Sequence, residues 1–260
     1  MAAPADVDLS EYAIAFQRDG YFVRDGVVSD ENVQRLRVAV DAIPNGEEVR
    51  RKRGVYGVRN LLEICPAVRE LATQACVRQF VTPLLGDHAF AVRAVFFDKV
   101  PDANWSLFWH QDNVIAVQDR HEVPGFVAWS QKAGVWQVQP PSDVLANMVA
   151  IRVHLDDCGL ANGPLRVLPG THRLGWVDDQ LDDLKARIPE VICTVKCGGI
   201  VAICPLTLHA SAPAETAAHR RVIHIEYASA NLPTASNGTT GCDPVTMNGL
   251  IGDRSSAVAC

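Results

Sequence analysis

From about residue 89 the apolar pattern changes period, and this change constrains the fold more than any other feature of the chain. Before it, apolar residues recur at helical spacing. After it they come in short β-branched and aromatic runs cut by Gly and Pro. The strand-like runs are 89–100, 148–157, 164–170, 190–197, 200–205, 206–211 and 220–229, with 190–197 and 200–205 expected to pair around Gly198-Gly199. The N-terminal part predicts helices over 8–18, from Ser29 to about Ile43, and over 66–82 with Pro83 just past the end. Ser29 heads the second of these as a capping residue. Tyr21–Val23 reads as a short strand, 46–54 as a charged loop, and 113–147 as a long excursion. Many short strands behind a helical opening predict a mainly β fold, a barrel or jelly roll with helices packed outside. No repeat or linker interrupts 8–230, so one domain over 1–260 is expected, its core about 10–229 and its tail, 230–260, loop-rich.

Composition narrows the function. With 48% hydrophobic and 21% charged residues the chain is of globular type. Lys and Arg number 24 against 30 Asp and Glu, a net charge of −6, which lacks the basic footprint of a nucleic-acid binder. No apolar run approaches the roughly 20 residues that span a bilayer. The opening MAAPADVDLSEY has no signal-like apolar segment, so a cytoplasmic protein is expected. The eight cysteines include no C-x-x-C and read as buried thiols of a reducing compartment. Cys193, Cys197 and Cys204 lack a fourth zinc ligand at similar spacing.

The chemistry concentrates in FWHQDN. On a strand, residues i and i+2 face the same way, so His110 and Asp112 are expected to point at one metal. A further histidine, His209, lies on a separate run, with Arg220 eleven residues on. Two histidines and one carboxylate form the facial triad of non-haem Fe(II) oxygenases. Three protein ligands on one face of an octahedral ion leave three positions, two for a chelating 2-oxo acid and one for dioxygen. The far carboxylate of such a cosubstrate calls for a planar cation, and the arginine fork matches it. Ser211, two residues from His209, adds a hydroxyl on the same face.

The residues W-H-Q-D (109–112), L-D-D-C-G-L-A-N-G-P-L-R-V-L-P-G-T-H-R (155–173), H-A-S (209–211) with Arg220, and the opening F-x-R-D-G-Y-F-V-x-x-G-V-V-S (16–29) resemble the phytanoyl-CoA dioxygenase (PhyH) family of Fe(II)/2-oxoglutarate oxygenases. The resemblance covers about residues 10–229. It implies a double-stranded β-helix core, cupin-like in form. It implies Fe(II) held by His110, Asp112 and His209, and 2-oxoglutarate anchored by Arg220 with Ser211. The implied activity is O2-dependent hydroxylation or another C–H oxidation of a small organic molecule, with release of succinate and CO2. Halogenases of the family carry a small residue where Asp112 stands, so the resemblance points away from chlorination. Two other uses of the triad stay open: a metal-dependent isomerase or hydrolase without an oxo acid, and a non-catalytic metal-binding barrel.

Around this centre the residues speak less sharply. Alternation on 220–227 puts Arg220, Val222, His224 and Glu226 on one face and Arg221, Ile223, Ile225 and Tyr227 on the other. The apolar pattern favours Arg221 as the inward cation, and the family spacing favours Arg220, which is preferred. The 113–147 segment is a candidate lid, with Trp129 and Trp136 as candidate substrate contacts. Arg93 and Lys99 on the strand before H-x-D, Arg59, and Asn147 are candidate cosubstrate or substrate contacts, and Arg152 a structural ion pair. His172 is expected to organise a turn, His154 to be a satisfied core histidine, and His88, His121 and His219 to lie in loops. The pattern says nothing of oligomeric state.

Overall fold

The computed structural model describes residues 9–52, 54–177, 179–215 and 218–229. The tail from 230, with Cys242 and Cys260, lies outside them.

The chain opens with α1 (Leu9–Asp19), β1 (Tyr21–Arg24) and α2 (Asp30–Asp41). Ser29 caps α2, its hydroxyl accepting from the Asn32 amide at 3.3 Å, and Val33, Leu36 and Val40 form the buried stripe. Next come β2 (Val49–Arg51) and β3 (Val55–Val58), then α3 (Leu61–Ile64), α4 (Pro66–Thr73) and α5 (Ala75–Leu85). Two expectations fail here. The charged 46–54 segment is not a loop, because β2 pairs antiparallel with β3. The 66–82 helix is two helices broken at Gln74, whose backbone is extended at φ −64°, ψ 143°. Pro83 lies inside α5, near enough to its end that the missing N–H costs little of the helix.

The remaining elements are β4 (Phe90–Asp98), β5 (Leu107–His110), β6 (Ile115–Val117), β7 (Val127–Lys132), β8 (Val135–Gln139), α6 (Ser142–Ala146), β9 (Met148–His154), β10 (Leu165–Val167), α7 (Leu181–Arg187), β11 (Val191–Cys193), β12 (Ile200–Ile203), β13 (His209–Ser211) and β14 (Arg221–Ala228). They build a seven-stranded sheet in the order β1-β12-β9-β14-β4-β3-β2 and a four-stranded sheet in the order β11-β10-β13-β5. This is the double-stranded β-helix of the jelly-roll class. A third sheet, β6-β8-β7, fills most of 113–147. That segment is therefore folded into strands where the sequence reads as a long excursion.

The runs 190–197 and 200–205 do not pair with each other. β11 pairs with β10 in the minor sheet, while β12 lies between β1 and β9 in the major one. Gly198-Gly199 looks like a hairpin turn but carries the chain from one sheet to the other. Gly198 holds φ +76°, donates to His154 O at 2.8 Å and accepts from the Val27 and Val28 amides at 3.0 and 2.8 Å.

The two faces of the major sheet differ in kind. One carries Ile151, Val153, Ile223, Ile225 and Tyr227 into the main core under the helices, where the Tyr227 hydroxyl donates to Ala72 O at 3.0 Å. The other faces the minor sheet. Part of it is apolar, with Ala150, Val201 and Ile203 packed on Leu165, Val167 and Cys193. The rest is polar and lines a cavity with Arg93, Arg152, Arg220 and His224. The helix-covered face accounts for the burial that hydrophobic bookkeeping favours, at about 25 cal/mol per Å². It leaves the inner face free for chemistry.

A side chain at Gly198 would meet Val28 O at 2.3 Å from its Cβ, at a φ that L residues rarely adopt. Gly198→Ala is expected to cost about 2 kcal/mol or more, from backbone strain and the clash together. A lowered urea midpoint with unchanged slope checks it.

Candidate metal centre

In the minor sheet β13 pairs antiparallel with β5, and His209 stands opposite His110. Their ring centroids are 4.2 Å apart. Asp112 reaches the same point by another route than the one expected. β5 stops at His110, and the chain bends so that the Asp112 amide donates to Pro205 O at 2.9 Å. Gln111 pins the bend. Its Nε2 donates to Gly175 O at 2.8 Å and Leu206 O at 2.7 Å, and its Oε1 accepts from the Val177 amide at 3.1 Å. Nothing in the H-x-D pattern assigned Gln111 this role.

Asp112 Oδ1 lies 3.7 Å from His110 Nε2 and Oδ2 lies 3.8 Å from His209 Nε2. One potential ligand atom from each of the three residues lies within 4.8 Å of the others, and no other such group of His, Cys, Asp or Glu occurs among the described residues. Both imidazoles are oriented the same way. His110 Nδ1 is 2.8 Å from Phe108 O and His209 Nδ1 is 2.8 Å from Thr207 O, so each Nδ1 carries the proton and each Nε2 lone pair faces the cavity. Burial pushes His209 down to about 4, keeping it neutral. Burial works against the Asp112 carboxylate, but His209, His224, His110 and Arg93 outweigh it and hold Asp112 at about 2. Two imidazoles turned with Nε2 inward and an ionised carboxylate fit a divalent first-row metal with positions to spare.

The cavity holding these groups measures about 210 Å³. Arg220 lines it and is buried, at 3% exposure. Its Nη1 donates to Gly163 O, and its Nε has no partner. Asp98 accepts from the Arg220 backbone amide at 2.9 Å and binds His219 with its other oxygen, so it acts on the guanidinium from a distance and forms no ion pair with it. Burial, reinforced by Arg152, lowers Arg220 to about 10. Arg221 turns away and forms an ion pair with Asp156 at 2.6 Å. The apolar pattern favoured Arg221 because the apolar face of β14 is the helix-covered one, not the cavity side. Ser211 lines the cavity beside Arg220.

Several sequence candidates are placed elsewhere. Lys99 is buried beneath Ser211, donating to Ser211 Oγ at 3.1 Å and to Ala212 O, and does not line the cavity. Arg93 does line it, but its Nε is 3.0 Å from both Glu226 oxygens, so its charge is already matched. Glu226 continues to His224 at 3.2 Å, and His224 to Arg152 at 3.1 Å. Arg152 is thus hydrogen-bonded to a ring nitrogen and belongs to the cavity wall; the expected structural ion pair does not form. Trp129 and Trp136 pack edge to face at 6.5 Å on the third sheet, away from the metal cavity. Asn147 is exposed and closes α6, its Nδ2 donating to Asp143 O at 2.8 Å. His154 is buried with neither ring nitrogen hydrogen-bonded, the reverse of a satisfied histidine. His172 Nε2 is 3.2 Å from Gln17 O in a short turn of helix.

A second cavity, of about 410 Å³, abuts the first and shares Arg93, Val95, Phe97 and Trp105 with it. Arg59 lines this second cavity and not the metal one. Trp105, five residues before His110, carried no motif and was not singled out by the sequence.

The family model described as Phytanoyl-CoA dioxygenase (PhyH) matches residues 16–222. The chain belongs to the phytanoyl-CoA dioxygenase family. Within it, this PhyH chain is 25% identical over 185 residues to L-proline trans-4-hydroxylase of Streptomyces griseoviridis, covering 66% of this chain and 58% of that protein. It is likewise 25% identical over 182 residues to ectoine dioxygenase of Sphingopyxis alaskensis, covering 66% and 53%. The match spans little more than half the length of those relatives. The PhyH chain also shares its fold with solved structures. One is the epimerase SnoN in complex with Fe3+, alpha ketoglutarate and nogalamycin RO, with TM-score 0.68, 19% identity, and coverage of 95% of this chain and 96% of that one. Another is EctD from S. alaskensis with 2-oxoglutarate and 5-hydroxyectoine, with TM-score 0.67, 18% identity, and coverage of 95% and 89%. Among the described residues no helix is long and apolar enough to cross a membrane.

Lys99 gives this PhyH site a pH signature. Burial, with Arg220 nearby, lowers it from 10.5 to about 7. Between those values the unfolded chain binds a proton that the folded protein does not, so this group makes stability rise with pH across that window, by up to ~1.4 kcal/mol per pH unit. Lys99→Met is expected to remove that rise. Urea unfolding of both proteins at pH 6 through 10 checks it. The wild type should gain on the variant above pH 7 and not below.

Proposed function

We propose that this chain is an Fe(II)- and 2-oxoglutarate-dependent dioxygenase that hydroxylates, or otherwise oxidises, a C–H bond of a small organic molecule, giving succinate and CO2. One observation carries it: Arg220, a buried guanidinium that no carboxylate among the described residues pairs with, lines the same small cavity as a His-Asp-His cluster with free Nε2 lone pairs. His110, Asp112 and His209 would hold the iron, and Arg220 with Ser211 the far carboxylate of 2-oxoglutarate. Bound there, the iron supplies oxidative decarboxylation of the 2-oxo acid and activation of dioxygen.

The chain's own residues do the rest. The Phe108 and Thr207 carbonyls fix the two imidazoles in the ligating tautomer. Gln111 holds the bend that brings Asp112 in. Arg220, itself buried, orients a dianion by a charge-assisted contact. No residue has to abstract a proton from the substrate. A metal isomerase without an oxo acid would leave Arg220 buried without a counter-ion, which favours the oxygenase. Asp112 fills the position a halide would need. A reducing, cytoplasmic setting is part of the same proposal and fits the free cysteines at the described positions.

Anaerobic titration of Fe(II)-loaded protein with 2-oxoglutarate is expected to raise the weak visible charge-transfer absorption of the chelate, and Asp112→Ala or His209→Ala to abolish it. Arg220→Gln should raise the half-saturating 2-oxoglutarate concentration by about tenfold to a hundredfold, the cost of one charged hydrogen-bond partner. Arg221→Gln, outside the cavity, should shift it little. Equal effects of the two arginine variants would contradict the assignment.

A further inference from the structure

We propose that the second cavity seats the substrate, and that the substrate is a small organic anion, a carboxylate or phosphate ester. Arg59 would hold its charged group, and its apolar body would run along Phe97 and Trp105 to the metal centre. This rests on the oxygenase activity proposed above and names the substrate class of that site.

The cavity is cationic on one side and apolar on the other. Arg50 on β2, Arg59 just after β3 and Lys132 on β7 bring three positive groups to it from three separate segments. Arg93 also lines it but is matched by Glu226. Glu48 is the one carboxylate in the described lining. Arg59 is half-buried, and no carboxylate among the described residues pairs with it. Its proton is bound less firmly than usual, first through burial and then through repulsion from Arg50 and Arg93. A partly desolvated guanidinium facing other cations is unfavourable in the empty protein, and an anion relieves it with charge-assisted hydrogen bonds.

A separate observation points to the same cavity. Gln137 on β8 lines it, is only 5% exposed, and its side-chain oxygen has no hydrogen-bond partner. Buried polar groups are nearly always satisfied, so an unsatisfied one in a residue that lines a cavity points to a partner still to be supplied there. The walls shared with the metal cavity are Val95, Phe97 and Trp105, besides the matched Arg93. The reacting C–H thus lies at the apolar end, remote from the anion. A volume of about 410 Å³ falls low in the roughly 300–1,000 Å³ range of small-molecule sites.

The test is calorimetric titration of anaerobic, Fe(II)-loaded protein saturated with 2-oxoglutarate, so that Arg220 is already engaged. The probes are 3-phenylpropionate, 2-phenylethyl phosphate and the neutral 3-phenylpropionamide. At least one anion should bind about tenfold or more tightly than the amide, and the tighter of the two names the headgroup. Arg59→Gln should erase the preference and Arg59→Lys retain part of it. Equal binding of anions and amide, no binding of either anion, or a preference unchanged in Arg59→Gln would overturn the proposal. The comparison on the unmodified protein needs no variant to fold. Failure of the oxygenase activity itself would show separately, as absence of the chelate absorption before any probe is added.

Discussion

His209 stands opposite His110 because β13 and β5 pair antiparallel there, and the rest of the site is built around that pairing. Strand side chains alternate, so a slip of one residue would send one imidazole to the far face. The register shifts between His209 and Ser211, and Ser211 still lines the cavity. β13 is itself held by β10 on its other edge, and the Thr207 hydroxyl just before it donates to Gly20 O at 2.9 Å. The two candidate histidine ligands therefore depend on backbone pairing between segments about a hundred residues apart. The one ligand outside the strands, Asp112, is fixed by the three hydrogen bonds of Gln111 instead.

Charge organises the interior that this pairing encloses. Arg93, Glu226, His224 and Arg152 form a continuous chain along the inner face of the major sheet. Buried ions are costly unless matched, and this chain matches one guanidinium fully and touches a second through a ring nitrogen. Arg220 is left unmatched at one end and Arg59 in the neighbouring cavity. As proposed, two anions would complete this interior, an oxo acid at Arg220 and a substrate at Arg59.

What the sequence made legible was chemistry carried by unusual residue types at fixed separations. His110, Asp112, His209 and the Arg220 spacing led to one cavity, and the change of period at residue 89 led to the jelly roll. The misses share a physical cause. β2, β3 and the third sheet consist of strands of three to six residues, many charged or half-exposed, which leave little apolar alternation to read. Those same elements build the second cavity, so its lining by Arg50, Tyr56, Lys132 and Gln137 was invisible. Gly198-Gly199 carried a hairpin's local signal while the partners of β11 and β12 were set by distant strands. Arg221 looked inward because apolar alternation reports burial of any kind, and here the more apolar face lies beneath helices.

The most direct test of the central claim is anomalous scattering at the iron edge from crystals soaked anaerobically with Fe(II) and 2-oxoglutarate. The account predicts one strong peak bounded by His110 Nε2, Asp112 and His209 Nε2, with density for the cosubstrate's distal carboxylate on the Arg220 guanidinium beside Ser211. A peak outside that triad, or a cosubstrate carboxylate seated on Arg152 with Arg220 untouched, would contradict it.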